Sequence, residues 1–83
     1  MNSTAESVWK NCLIFIKDNI TPQAYETWFE PIKAVKLNND CLSIQIPSKF
    51  FYEWLEEHYV KLLKTALRKE LGQKAKLTYI IEM

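Results

Sequence analysis

Residues 41–60 read CLSIQIPSKFFYEWLEEHYV, and two kinds of secondary structure meet inside them. Cys41–Ile46 alternates, with Leu42, Ile44 and Ile46 on one face and Ser43 and Gln45 on the other. That is the period-two pattern of a strand with one buried side. Pro47 stops the strand, having no N–H to give a ladder, and Ser48 is placed to cap a helix. An apolar pattern of helical spacing then runs to about Leu71. Gly72 fits the position just past its end, and Lys64, Arg68 and Lys69 suit the negative end of its dipole.

Working outward, IKAVKL precedes this stretch, joined to it by Asn38–Asp40, three residues that tolerate the angles of a tight turn. The pair predicts a β-hairpin. After Gly72, KLTYIIE predicts a third strand with Leu77, Tyr79 and Ile81 inward. Two helices come first. From Thr4 to Asn19, Trp9, Cys12, Leu13, Ile16 and Ile20 line one face, Val8 and Phe15 form a narrower stripe beside it, and Ile14 lies outside both. Ser3 or Thr4 is the expected N-cap, with Glu6 in the first turn. In TPQAYETWFEP, Thr21 caps, Pro22 occupies the first helical position and Pro31 ends the helix. Tyr25, Trp28 and Phe29 meet on one face. The order α-α-β-β-α-β predicts an α+β domain, a three-stranded sheet with one face covered by helices.

At 83 residues the chain is read as one domain, 1–83. A hydrophobic content of 48% and a single Gly argue against disorder. The net charge of +1 points to no polyanionic partner, though Lys61, Lys64, Arg68, Lys69, Lys74 and Lys76 make a basic end behind an acidic shoulder of Glu53, Glu56 and Glu57. Cys12 and Cys41 are in no metal-ligand spacing and read as reduced thiols of a cytoplasmic protein. No membrane span or signal peptide is visible.

Five aromatic residues fall within Phe50–Tyr59, more than one face of a helix can hide. At 100° per residue, Phe51, Leu55, Tyr59, Leu62 and Ala66 form the core stripe, with Tyr52 and Leu63 on its flank and His58 beside it. Trp54 sits at the margin. Phe50 falls among Glu57, Lys61, Lys64 and Arg68. A ring left there forgoes about 2 kcal/mol of burial. Either it folds back as a staple over the preceding loop, or a partner protein covers it. Trp9 carries a similar pair of readings: buried in the core, or part of a self-association surface with Val8.

Catalytic chemistry has little to work with. His58 is the only histidine, the single Gly rules out a Gly-rich phosphate loop, and Glu53, Glu56 and Glu57 do not converge. No metal, cofactor or enzymatic activity is expected.

Trp9 with Cys12-Leu13, then YETWFEPI, then LSIQIPSKFFYEWLEEHY, in that order and spacing, resemble the N-terminal domain of the bacterial chromosomal replication initiator DnaA over essentially the whole chain. The resemblance implies a KH-like fold, here without the GxxG loop by which KH domains grip single strands. It implies a protein-docking module that self-associates and contacts the replicative helicase and initiation regulators at the chromosomal origin. It places Trp9, with Val8 beside it, at self-association, and Phe50 in the helicase and regulator contact with Ser48, Lys49 and Glu53. The other half of that contact, from the second helix, would be Gln23 and Ala24, the alanine standing where some members carry a glutamate. The family's ATPase and duplex-DNA-binding domains have no counterpart here. The competing reading is weak single-stranded nucleic-acid binding through Lys61, Lys64 and Arg68, with Phe50 and Trp54 as stacking rings.

Overall fold

The computed structural model describes residues 4–81. Helix α1 spans Ala5–Lys17 and α2 spans Pro22–Trp28. Strands β1, Lys33–Asn38, and β2, Cys41–Ile46, form the hairpin. A long helical segment follows as α3, Lys49–Trp54, a π turn, Leu55–Tyr59, and α4, Val60–Leu71. It leads into β3, Lys76–Ile81. The sheet order is β1-β2-β3, antiparallel between β1 and β2 and parallel between β2 and β3. A parallel neighbour needs a crossover of a dozen or more residues, and the long helical segment supplies it.

The alternation of β2 is realised in full: Leu42, Ile44 and Ile46 are buried against the helices, while Ser43 and Gln45 are half-buried on the other face. Asn39 takes the turn's left-handed position at φ 54°. Thr4 caps α1 in a reciprocal box with Ser7, each backbone N–H donating to the other's hydroxyl at 3.0–3.1 Å. Thr21 accepts from Ala24 N–H. Gly72, at φ 94°, closes α4 by donating to the Arg68 carbonyl at 3.0 Å. Ser48 has the extended backbone of an N-cap, but its hydroxyl makes no capping bond. The second helix stops at Trp28, short of Pro31, with Phe29 as its C-cap turned into the core.

The long helix departs from the expected wheel. Leu55, Leu63, Ala66 and Leu67 are buried, whereas Leu62 is half-buried and Tyr52 and His58 are exposed. The π turn is the cause at Leu62, Leu63 and Leu67, because it inserts one extra residue into the helical count. With that residue discounted, Phe51, Leu63 and Leu67 all fall within about 40° of Leu55; counted straight through, Leu67 lies about 120° away. Tyr52 precedes the turn, and its ring instead meets Tyr79 edge-on. In β3, Leu77 and Tyr79 are half-buried as expected, but Ile81 is exposed at the strand's end.

Trp9 and Val8 belong to the core, with 4% and 3% of their surface exposed. The self-association surface expected of them is set against this burial: α1 turns both side chains inward with Cys12 and Ile16. Of the two readings left open for Trp9, the buried one is what the fold adopts.

Burial of Cys12, and secondarily the charge of Glu70, push its thiol up to about 12. Burial likewise raises Tyr79, helped by the Glu56 carboxylate that accepts its hydroxyl at 3.0 Å. Both groups hold their protons more tightly folded than unfolded, so their contribution to stability is complete at lower pH and is lost as pH rises. Urea midpoints should hold to about pH 9 and fall steadily toward pH 12. At pH 8 a small alkylating reagent should modify half-buried Cys41, whose Sγ sits 3.2 Å from Thr78 Oγ1, and should reach Cys12 only on unfolding. Labelling of Cys12 in the native chain at the rate of Cys41 would contradict this.

Candidate functional site

The feature that stands apart from the core is a cluster of rings where α2 meets α3. Trp28, at the end of α2, stacks on Trp54 with centroids 4.7 Å apart and planes 9° from parallel. Phe51 meets Trp28 edge-on at 5.0 Å from the core side. Phe50 lies over the outer edge of the pair, 5.7 Å from Trp28 and 6.3 Å from Trp54. The imidazole of His58 covers the far side of Trp54 at 4.1 Å. Offset and tilted packing of this kind gains about 0.5–1.5 kcal/mol per pair beyond burial.

Local structure explains how the cluster forms. Pro22 and Thr21 set the start of α2, which delivers Trp28 at its last residue, nearly two turns later. Pro47 and Ser48 redirect the chain from β2 into α3 and put Phe50 in its first turn. His58, four residues after Trp54 and so on the same side of the helix, lies against its ring.

Phe50 remains 60% exposed even on this platform. Ile14 and Val35 are comparably open, but they lie on separate elements away from the rings. The indole Nε1 of Trp54 is buried without a hydrogen-bond partner. A donor left so costs about 1–3 kcal/mol. An exposed ring on a rigid aromatic base makes a surface suited to being covered by another molecule.

The expected contact residues divide. Ser48, Lys49 and Glu53 share the first turns of α3 with Phe50, Ser48 half-buried and the other two exposed. Gln23, exposed, and Ala24, half-buried, sit in the first turn of α2, whose link to Phe50 runs through Trp28. Trp28 and His58 were not expected in the site. The available signal for Trp28 was that Tyr25, Trp28 and Phe29 share one face of a seven-residue helix, too much ring surface for the core alone. Lys61, Lys64 and Arg68 are all exposed, but only Lys64 and Arg68 line a common groove, together with Lys76 of β3. Among the described residues no group of three or more His, Cys, Asp and Glu is placed to hold a metal ion, and no helix is long and apolar enough to cross a membrane.

Comparison with known proteins places this arrangement. The model of a family described as DnaA N-terminal domain matches residues 6–75. A chromosomal replication initiator protein DnaA from Flavobacterium psychrophilum is 75% identical over 83 residues, which is 100% of this chain and 17% of the relative. Proteins of the same name from Chlorobaculum tepidum and Bacteroides thetaiotaomicron are 48% and 49% identical over 79 and 72 residues, covering 95% and 87% of this chain. The chain spans only 15–17% of the length of these relatives. By the extent of the family match and by these identities alike, the chain belongs to the DnaA N-terminal domain family.

Proposed function

We propose that this domain is a protein-docking module of a replication initiator, and that its partners close over Phe50. The replicative helicase and regulators of initiation, acting at the chromosomal origin, are the partners in this reading. Lys49 and Glu53 form the polar rim, Ser48 and Gln23 add hydrogen-bonding groups, and Ala24 leaves the α2 side of the contact uncharged. The observation that carries the proposal is the exposure of Phe50 on a stack of two tryptophans. A flexible exposed ring would lose entropy on binding; this one is already held by neighbours, so less is lost and more of its burial appears as affinity. Self-association is the module's second role; the burial of Val8 and Trp9 favours other side chains for it.

Phe50→Ala should lower the thermal midpoint by only a few degrees, since most of the ring is already in water and it gives up just two tilted contacts, with Trp28 and Trp54. Binding to the helicase, measured by titration calorimetry, should weaken by about 2 kcal/mol, or roughly 30-fold. Equal affinity for the parent and the variant would remove Phe50 from the contact.

A further inference from the structure

β3 pairs with β2 along one side only, and no strand among the described residues takes its other side. An edge of this kind presents a row of unpaired N–H and C=O groups. Alongside it, between β3 and α4, runs a groove of about 400 Å³. Val60, Leu77 and Tyr79 give it an apolar lining, and Lys64, Arg68 and Lys76 give it three cations. Its only carboxylate, Glu56, is already engaged by the Tyr79 hydroxyl. Ile81, on the face of Leu77 and Tyr79, and Ile80, on the opposite face, are each 40% exposed at the strand's end.

We propose that this edge and groove take an extended acidic segment of a partner protein as a fourth strand of the sheet. Main-chain pairing supplies affinity in such an addition, while alternate side chains supply specificity. Here every other side chain of the added strand turns to the α4 side, where carboxylates reach Lys64 and Arg68, and the apolar ones between them lie on the opposite face beside Ile80. The charge balance decides against a second copy of the chain, because pairing two β3 edges would gather both sets of cations around one seam. It favours an anion, and the strand edge then selects a peptide. Phosphates could answer the cations, but a single-stranded nucleic acid has no regular row of donors for the strand's carbonyls. The groove also offers no exposed ring for stacking, since Tyr79 is half-buried and tied to Glu56. This surface shares no residue with the Phe50 cluster, so the two proposals stand or fall separately.

The test titrates the isotope-labelled chain with a capped eight-residue peptide alternating Asp and Val, following backbone amide shifts by NMR. Shifts should concentrate in Lys76–Ile81 and at Lys64 and Arg68, weaken with added salt, and be absent with a Lys–Val peptide. The double variant Lys64→Glu/Arg68→Glu, both positions being exposed, should keep the parent's circular dichroism and lose at least tenfold in affinity. The proposal is overturned if β3 amides do not move or if the shifts fall on the Phe50 cluster. It is equally overturned if an oligothymidylate competes at lower concentration than the peptide, or if the shifts track a concentration-dependent rise in mass.

Discussion

Trp9→Ala should unfold this domain rather than merely separate its copies. The ring is 4% exposed and packs with Val8, Cys12 and Ile16 in a single core. Truncating a buried tryptophan to alanine costs about 3–5 kcal/mol. A domain of this length has roughly 4–12 kcal/mol in total. The thermal midpoint should fall by about 12 °C or more, since each kcal/mol moves it 4–8 °C at this size. Trp9→Phe should behave differently. The indole Nε1 of Trp9 is buried without a partner, so phenylalanine removes an unsatisfied donor while leaving much of the volume in place. A parent-like melt for Trp9→Phe beside a collapsed one for Trp9→Ala is the signature of a core residue. A parent-like melt for Trp9→Ala, with only the concentration dependence of its mass changed, would return the ring to the surface. Any loss of association in the alanine variant therefore has to be measured against its folded fraction.

What the sequence disclosed and what it withheld follow from how far each signal reaches. The strand pattern of β2 is local and strict, because a one-residue slip would put Leu42, Ile44 and Ile46 in water. It was legible, and with it the hairpin and the layer of helices, whereas the order of the strands and the parallel placement of β3 beside β2 were not. The caps at Thr4 and Thr21 and the stop at Gly72 were legible for the same reason, each satisfying backbone groups within a few residues. Phe50 could be recognised as a misfit because the helical wheel left it among charges in the first turn, before the irregularity in the helix began. Trp9 could not be decided, since whether the core extends to the start of α1 depends on α4 and β1, which pack against it from far along the chain. The π turn was hidden as well. Leu62, Leu63, Ala66 and Leu67 supply two overlapping apolar stripes, and only packing selects the one containing Leu67. His58, placed beside the core stripe by the wheel, is exposed and lies on Trp54, four residues before it.

Deleting one residue from the long helix should have opposite outcomes on the two sides of Tyr59. Removal of Glu57, an exposed residue within the π turn, takes out the extra residue and leaves a regular α-helix. Leu55, Leu63 and Leu67 then keep their common face, because the turn had already compensated for the insertion. The shortened chain should fold, with a stability within about 2 kcal/mol of the parent, as for other changes that spare the core. Removal of Lys64 from α4, also exposed, leaves the π turn in place and rotates everything beyond it by about 100°. Ala66 and Leu67 would leave the core, and each large apolar side chain so displaced forfeits about 1.5–3 kcal/mol before any cavity is counted. Gly72 and the entry to β3 would swing with them, and the domain should not fold. Circular dichroism and urea melts of the two deletions decide the matter: if deletion of Glu57 is as disruptive as deletion of Lys64, the π turn is not what sets the helix in phase. The Glu57 deletion also bears on docking. It moves His58 relative to Trp54 while sparing Phe50, so a folded deletion variant with weakened helicase binding would show that the irregular turn shapes the patch. The extra residue then serves the surface, and the core merely tolerates it.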